Sequence, residues 1–270
     1  MGQTIACANQ KGGVGKTTTV INLGSYLALA GDRVLVIDLD PQANATSGLG
    51  FDRASIGRSV YDAVVDGTRM AELILAGPLP GLDLVPAAIA LAGADLELAP
   101  VEGRERRLAR LLPEIAAQYD YILVDCPPAL GLLTINALTA ADSVLIPLQC
   151  EYFALEGLTQ LLGTLNLVRD HLNPGLGIKG VVLTMYDGRT NLSADVAAEA
   201  RRHLGEQVFQ TVVPRSVRLS EAPSYGLPIS RYSPASAGAV AYAALAAELR
   251  ARDGRATAAP AEPREPVPVP

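Results

Sequence analysis

Short runs of aliphatic and β-branched residues alternate with stretches of helical periodicity along this chain. The strand-like runs lie at residues 3–8, 33–38, 82–86, 121–125, 143–148, 178–184 and 207–213. The helical patterns lie at about 16–30, 59–76, 104–118, 132–140, 154–172, 192–204 and 235–252. Because the strands are apolar almost throughout, we expect them to be buried on both faces. The pattern predicts a single α/β domain, with a doubly wound, mainly parallel sheet and helices on both faces.

The composition changes near the end of the chain, where proline and alanine dominate from about residue 254. Such a segment cannot bury enough apolar surface to fold. We therefore predict a folded domain over residues 1–252 and a disordered tail over residues 253–270. The first residues lack the basic region of a signal peptide, and no apolar run approaches the roughly 20 residues of a membrane span.

The three cysteines are few, odd in number and without the paired spacing of a metal site: Cys7, Cys126 and Cys150. This pattern argues against a secreted domain held by disulfides. We expect reduced, buried cysteines and a cytoplasmic protein. Hydrophobic residues make up 49% of the chain, which is enough for a sizeable core.

The net charge of −6 argues against a nucleic-acid partner when it is taken as a whole. Its distribution changes this interpretation. Residues 1–178 hold 11 basic and 19 acidic residues, whereas residues 179–252 hold nine basic and six acidic residues. A basic patch can therefore form in the second half of an acidic protein.

The strongest motif is NQKGGVGKTTT at residues 9–19, between a predicted strand and a predicted helix. Glycines at such a turn let backbone N–H groups surround phosphates, and the helix N-terminus adds its dipole. Lys16 is expected to reach the β- and γ-phosphates, and the Thr17 hydroxyl to bind Mg²⁺. The predicted nucleotide-binding residues of the loop are Lys11, Gly12, Gly13, Val14, Gly15, Lys16, Thr17 and Thr18.

Lysine is scarce in this chain, with only Lys11, Lys16 and Lys179 among 22 basic residues. Two of the three fall in the phosphate loop. Lysine is a compact ammonium, whereas arginine is a planar fork, so its retention there suggests a chemical requirement. A solvated loop lysine is the alternative interpretation for Lys11.

Carboxylates follow two of the predicted strands. Asp38 and Asp40 end the second strand, and Asp125 ends the strand that begins at residue 121. Carboxylates at the carboxyl ends of strands beside a phosphate loop are placed to meet metal or water. An apolar strand that ends in Asp is a Walker B pattern, which holds Mg²⁺. For Asp38, a helix cap or a turn is a plausible alternative.

The loop departs from the strict phosphate-loop pattern, because Gln10 stands where a glycine is expected. With its additional lysine, it resembles the deviant Walker A motif of the ParA/MinD family of P-loop NTPases. The resemblance implies that Lys11 reaches the nucleotide of a partner subunit. It also implies that Asp40, in the switch I segment, orients or activates the attacking water. Asp125 then opens the switch II segment, and the cofactors are ATP and Mg²⁺.

The second half extends the resemblance to the Soj-type, chromosomal branch of that family, through residues 184–193 (TMYDGRTNLS) and 213–229 (VPRSVRLSEAPSYGLPI). This implies an ATP-dependent homodimer that binds double-stranded DNA without sequence preference on the nucleoid. A ParB-type partner would stimulate hydrolysis and release the dimer. Pro214 and Arg215 are expected near the adenine, and Arg189 and Arg218 at the DNA. An ordinary exposed arginine is the alternative for each of the last two.

Three other functions can be distinguished on sequence features. A MinD-like membrane-associated ATPase needs a C-terminal amphipathic helix with basic and bulky apolar faces, whereas the last predicted helix is rich in alanine. An iron–sulfur relative needs cysteine ligands in a family motif. A scaffold with a degenerate site is disfavoured because the loop lysines and the carboxylates are all present. The first strand starts at about residue 3, so no N-terminal repressor domain is expected.

Overall fold

Eight strands form one sheet in the computed structural model, which describes residues 2–151 and 154–255, with the backbone alone at 154 and 155. The strands are β1 (Gln3–Cys7), β2 (Val34–Asp38), β3 (Leu75–Ala76), β4 (Leu82–Val85), β5 (Tyr121–Asp125), β6 (Ser143–Gln149), β7 (Gly177–Tyr186) and β8 (Val208–Pro214). Their order across the sheet is β3-β4-β2-β5-β1-β6-β7-β8. Every neighbouring pair is parallel except β3 and β4.

Helices cover both faces of this sheet. They are α1 (Lys16–Leu29), α2 (Asn44–Gly48), α3 (Ala94–Leu98), α4 (Arg107–Leu111), α5 (Leu132–Ala140), α6 (Ala154–His171), α7 (Asn191–Leu204), α8 (Val217–Glu221), α9 (Ile229–Tyr232) and α10 (Ala237–Arg252). Helices α3 to α7 contribute to the core on one face, and α1, α2 and α8 to α10 contribute to the core on the other. The doubly wound α/β fold predicted from the sequence is confirmed.

Side chains of the central strands alternate between the two cores. Ile5 and Cys7 belong to the cluster beneath α1 and α10, while Ala6 and Ala8 belong to the opposite cluster. All four are buried. This alternation explains the continuous apolar runs, since both faces of a parallel sheet are covered by helices. All seven predicted strands and five of the seven predicted helices lie within two residues of their observed bounds.

The helix predicted over 59–76 is wrong. The segment instead contains a π-helical turn at Asp62–Asp66, a short turn at Met70–Leu73 and the edge strand β3. Gly67 has a φ of 79°, in the left-handed region, and ends the first turn. The apolar positions do point into the core, as the buried Val64 and Met70 show. Helical spacing was therefore present, but in separate turns.

The single helix predicted over 104–118 is also wrong, because α4 ends at Leu111 and two short turns follow it. Pro113 lies in the next turn, where it lacks an N–H and would clash with a helical carbonyl four residues earlier. The buried Asn136 of α5 holds the segment: its amide donates to the Arg104 oxygen (2.8 Å), and its oxygen accepts from the Leu108 N–H (3.1 Å).

The connections reverse direction at β1, which lies between β5 on one side and β6 on the other. In open α/β sheets, ligands bind outside the carboxyl ends of the strands at such a switch point. The loop at residues 8–15 leaves β1 at this edge and enters α1 directly. The fold therefore places the glycine-rich segment in the crevice where this architecture binds its ligands.

An ion-pair cluster lies at the end of the sheet where the parallel strands begin, opposite the loop, and it includes the last described residues. Asp253 pairs with Lys179, and Arg255 pairs with Asp32 (2.9 Å) and Asp120 (3.2 Å). The predicted tail begins at residue 253, so its first three residues make defined contacts. The rest of the predicted tail, residues 256–270, lies outside the described residues.

We expect Asn136→Ala to lower the free energy of unfolding by about 2 kcal/mol or more, because it removes hydrogen bonds from buried backbone groups of the 104–108 segment. Urea denaturation monitored by circular dichroism measures the change. Asn166→Ala on the exposed face of α6 is the matched control. Equal stability of the two variants would contradict this role for Asn136.

Candidate functional site

The glycine-rich loop is shaped by two left-handed glycines and anchored from distant strands. Gly13 and Gly15 have φ angles of 73° and 89°, which a side chain would strain. The Asn9 amide donates to the Pro147 oxygen in β6 (2.7 Å), and the Asn9 oxygen accepts from the Lys11 N–H (3.0 Å). The Thr184 hydroxyl in β7 donates to the Val14 oxygen (2.8 Å). These contacts fix the loop conformation.

The two lysines of the loop have different surroundings. Lys16, the first residue of α1, is only 6% exposed, and its ammonium donates to the Lys11 oxygen inside the loop (3.2 Å). The ammonium of Lys11 lies at the surface, with 41% of its side chain exposed, and pairs with Glu151 (3.1 Å). Glu151 also faces Arg215, at 3.7 Å. Lys16 is thus placed to contact a group bound within its own loop, whereas Lys11 is accessible to a group outside it.

Strand register brings the predicted carboxylates together beside the loop. Asp38 of β2 and Cys7 of β1 are both direct neighbours of Asp125 in β5. Asp38 and Asp125 are fully buried, and Asp40 is 7% exposed. Three acidic side chains are therefore enclosed where these strands end, next to the buried ammonium of Lys16.

Asp38 has a structural task, as the alternative interpretation from the sequence allows. One of its oxygens accepts from the Thr46 N–H (2.8 Å) and hydroxyl (2.7 Å), and the other accepts from the Asp40 N–H (3.2 Å). Burial raises the pKa of Asp38 to about 6, against the effect of these hydrogen bonds. Asp38 therefore folds the segment that presents Asp40.

Asp40 opens the turn that leads into α2. Its oxygen accepts from the Gln42 N–H (2.9 Å), and its N–H is held by Asp38. Ala43, the next buried residue, has a φ of 51°, which non-glycine residues adopt only under constraint. The turn thus fixes the Asp40 backbone and places its carboxyl group near the loop.

Asp125 differs from Asp38, because neither of its carboxylate oxygens has a hydrogen-bond partner among the described residues. Burial is the main cause that raises the pKa of Asp125 well above its usual range, followed by the charge of Asp38. The Thr17 hydroxyl and the Lys16 ammonium act in the opposite direction. A buried carboxylate without a partner, beside a threonine hydroxyl, fits a Mg²⁺ ion, which takes oxygen ligands.

A cavity of about 720 Å³ extends from the start of α1 to the carboxyl ends of β7 and β8. Thr17 and Thr18 line one side, and Pro214 and Arg215, predicted at the adenine, line another. Sequence reasoning did not include Met185, whose φ of 50° puts it in the left-handed region. The structure therefore brings three residues of the predicted phosphate loop, Gly15, Thr17 and Thr18, to one cavity with Pro214 and Arg215. The other predicted loop residues do not line this cavity: Lys11, Gly12, Gly13, Val14 and Lys16.

The two arginines predicted at the DNA lie on segments that follow the neighbouring strands β7 and β8. Arg189 lies between β7 and α7, with 87% of its side chain exposed. Arg218 lies in α8, with 60% exposed. Both are on the same edge of the sheet as the loop, since these strands are parallel. They do not line the cavity.

The residues that sequence reasoning missed are those that connect distant parts of the chain to the loop: Asn9, Glu151 and Thr184. Asn9 has a local signal in the sequence, because it is a polar residue directly after an apolar strand and before the glycines of the loop. The structure shows that it is buried. Glu151 and Thr184 lie 140 and 170 residues from their partners in the loop. No local pattern could indicate those pairs.

The cysteines and the helices bear on the alternative functions. All three cysteines are buried, and Cys7 and Cys126 belong to the cores on opposite faces of the sheet. Within residues 2–151 and 154–255, no group of three or more His, Cys, Asp or Glu side chains is placed to hold a metal. A search of the described helices finds none with the length and apolar character of a membrane span.

Comparison with known proteins relates the chain to curated relatives over most of its length. A family model described as an AAA domain matches residues 2–178. The sporulation initiation inhibitor protein Soj of Bacillus subtilis is 57% identical over 251 residues, which cover 93% of this chain and 99% of that protein. The chromosome partitioning protein ParA of Caulobacter vibrioides is 51% identical over 261 residues, which cover 95% and 98%.

Solved structures with the same fold include nucleotide complexes. Cobyrinic acid a,c-diamide synthase from Mycobacterium smegmatis, with a bound ATP analogue and magnesium, is 38% identical with a TM-score of 0.82, over 94% of this chain and 98% of that one. The septum site-determining protein MinD from Pyrococcus horikoshii, in complex with Mg-ADP, is 27% identical with a TM-score of 0.78, over 94% and 98%.

We expect Asp125→Asn to raise the melting temperature of the ligand-free protein by about 2–4 °C, because it removes a buried, unpartnered carboxylate. It should also abolish the further stabilisation by Mg²⁺ and ADP, since a ligand stabilises the fold only when it binds. Thermal denaturation with and without these ligands measures both effects. The exposed Asp95→Asn is the control, and a full ligand-induced shift in Asp125→Asn would contradict the assignment.

Proposed function

Because this chain belongs to the family of Soj- and ParA-type chromosome-partitioning ATPases, we propose that it segregates DNA through cycles of ATP binding and hydrolysis. Its substrate is ATP with Mg²⁺, and its products are ADP and phosphate. The observation that carries this proposal is the pairing of a phosphate loop with two lysines and a buried carboxylate that lacks a hydrogen-bond partner. The first features bind phosphates, and the last fits the metal.

The positive charges at the loop complement the negative phosphates of a nucleoside triphosphate. Lys16 exchanges its bond to the Lys11 oxygen for the β- and γ-phosphates. Thr17 and Asp125 would hold Mg²⁺, which would neutralise charge on the phosphate oxygens. Phosphoryl transfer to water depends mostly on such positioning and electrostatic stabilisation. Asp40 orients the attacking water, from the turn that Asp38 and Thr46 hold in place.

Lys11 gives the reaction its dependence on a second subunit. Its ammonium is partly exposed and is held by Glu151 at the surface. In the proposed cycle, it leaves Glu151 and contacts the nucleotide of a partner subunit, whose Lys11 does the same in return. The site of a single chain then lacks one positive charge near the γ-phosphate. Hydrolysis is therefore slow and depends on the homodimer.

DNA binding is the output of this cycle. Arg189 and Arg218 contact phosphates of double-stranded DNA without reading the sequence. They lie at the same edge of the sheet as the nucleotide site, within the basic part of the chain. Two subunits double the number of contacts, so the dimer binds more tightly than the single chain. A ParB-type protein stimulates hydrolysis and releases the dimer, which acts in the cytoplasm on the nucleoid.

A MinD-like membrane function is less well supported by the contacts of α10. Such a function needs a C-terminal helix with its bulky apolar face available to lipid. Here the bulky side chains of Tyr242, Leu245 and Leu249 in α10 are buried in the core beneath α1, and Val240 is the exposed bulky apolar residue of this helix. The Tyr242 hydroxyl also bonds to Thr19 of α1 (3.1 Å). The face of α10 that carries Tyr242 and Leu245 is therefore buried and is not available to lipid.

Variants of Lys16 and Asp40 separate dimerisation from turnover. We expect Lys16→Ala to abolish ATP-dependent dimerisation, because the phosphates lose their principal cation. Asp40→Ala should still dimerise but lose turnover by about 100-fold or more, since it removes a group that acts on the water. Size-exclusion chromatography and phosphate release measure the two effects. Undiminished hydrolysis by Asp40→Ala would refute its role.

The nucleotide state should control DNA binding. We expect tight binding to non-specific duplex DNA with ATP or a slowly hydrolysed analogue, and weak binding with ADP. The affinity should fall steeply with salt, because binding to phosphates releases counterions. Fluorescence anisotropy across a salt titration tests this, with liposome flotation in parallel. Absent DNA binding together with ATP-dependent flotation would favour the membrane function.

A further inference from the structure

Arg189 is held by a carboxylate of its own chain in the geometry that a phosphate would use. Its Nε donates to one oxygen of Asp187 (2.9 Å), and its Nη2 donates to the other (2.7 Å). The Arg189 backbone N–H also donates to the first oxygen (3.1 Å). Two parallel bonds from one guanidinium are the strong form of contact to carboxylate and to phosphate alike. Asp187 thus occupies the Nε–Nη2 side of Arg189, one of the two sides through which a guanidinium binds a phosphate with two bonds.

The turn that carries this pair is tied to the start of α7. The Thr190 N–H and hydroxyl both donate to the backbone carbonyl oxygen of Asp187 (3.1 and 3.0 Å). The Thr190 hydroxyl also accepts from the Ser193 N–H. The Asp187 N–H donates in turn to the Ser193 hydroxyl (3.3 Å). Backbone and cap contacts therefore fix the two residues relative to each other, which lowers the entropic cost of the ion pair.

Arg218 has a corresponding partner on α8. Its Nη1 donates to Glu221 (2.9 Å), one turn further along the helix. The Tyr232 hydroxyl donates to the same carboxylate oxygen (3.1 Å), and the Tyr232 ring stacks on Tyr225 with 5.0 Å between centroids. The carboxylate is therefore oriented from a second element. Both arginines proposed to bind DNA are thus paired with a carboxylate, Arg189 through two side-chain bonds and Arg218 through one.

We propose that Asp187 and Glu221 compete with DNA phosphates for Arg189 and Arg218, and so set a low intrinsic affinity for DNA in each subunit. This inference rests on the proposed function, because it needs the two arginines to contact DNA. Phosphate competes with Asp187 for the Nε and Nη2 donors of Arg189, and with Glu221 for the Nη1 donor of Arg218. An exposed ion pair shifts such an equilibrium by up to about fivefold. Each effect occurs twice in a dimer, so the penalty for one pair reaches about 25-fold there.

This competition lowers the DNA affinity of the dimer more than that of a single chain. A single chain offers two arginines that are already paired, so its gain from DNA is small. A dimer offers four, and linked contacts strengthen one another through effective concentration. The two carboxylates moderate this gain, because the dimer carries each ion pair twice.

The test compares Asp187→Asn with Asp195→Asn, which changes the charge equally on α7. Asp195 is exposed and has no ion pair among the described residues. Asparagine at position 187 can still accept from the Arg189 N–H, so the turn is retained. We expect Asp187→Asn to tighten DNA binding of the ATP-state dimer about threefold to tenfold more than Asp195→Asn. Anisotropy with non-specific duplex DNA at fixed salt measures the affinities.

A double variant shows whether the gain acts through Arg189. In an Arg189→Ala background, Asp187→Asn should tighten binding no more than Asp195→Asn does. Glu221→Gln, which can still accept from Tyr232, should repeat the gain through Arg218. The exposed Glu206→Gln is its control.

The outcomes separate this inference from the proposed function. If Arg189→Ala weakens DNA binding but Asp187→Asn matches its control, the competition is refuted and the DNA contact stands. A gain that persists without Arg189 also refutes the competition, because the carboxylate then acts only through its general field. If Arg189→Ala leaves DNA binding unchanged, the proposed contact fails, and the inference fails with it.

Discussion

The enclosure of three carboxylates and one ammonium at the ends of β1, β2 and β5 is the constraint on which the site depends. Buried charges are costly unless they are paired or hydrogen-bonded. Asp38 is stabilised by Thr46 and the Asp40 N–H, and this bonding shapes the whole turn into α2. Asp125 receives no comparable bonds from the described residues. The fold thus uses Asp38 for structure, whereas Asp125 is the carboxylate that we propose to bind Mg²⁺.

Anchoring from the second half of the chain completes this site. The loop conformation depends on Pro147 in β6 and Thr184 in β7, which bond to Asn9 and to the Val14 oxygen. The segment that follows Thr184 enters the cavity at Met185 and continues to the Asp187–Arg189 pair. The phosphate loop and the proposed DNA contact are therefore connected through one strand.

Sequence reasoning predicted those parts of the structure whose cause is local. The strands follow from continuous apolar runs, and the loop follows from glycines and lysines between a strand and a helix. Gly67 and Pro113 are local signals that break a helix, but the apolar spacing continues across both of them. Two long helices are therefore predicted where the structure has separate turns. The pairing of Lys11 with Glu151 and of Val14 with Thr184 could not be predicted from the sequence, because each contact joins residues that are 140 or more positions apart.

The third lysine gives this chain an unusual chemical property. Lys179 is buried at the opposite edge of the sheet, with 9% of its side chain exposed, between the Gln3 amide oxygen and Asp253. Lys16 is enclosed in the loop, so Lys11 alone among the lysines, all of which lie within the described residues, presents an accessible ε-amine. Amine-selective reagents would therefore distinguish one lysine side chain, and its rate of modification would report how firmly Glu151 holds it.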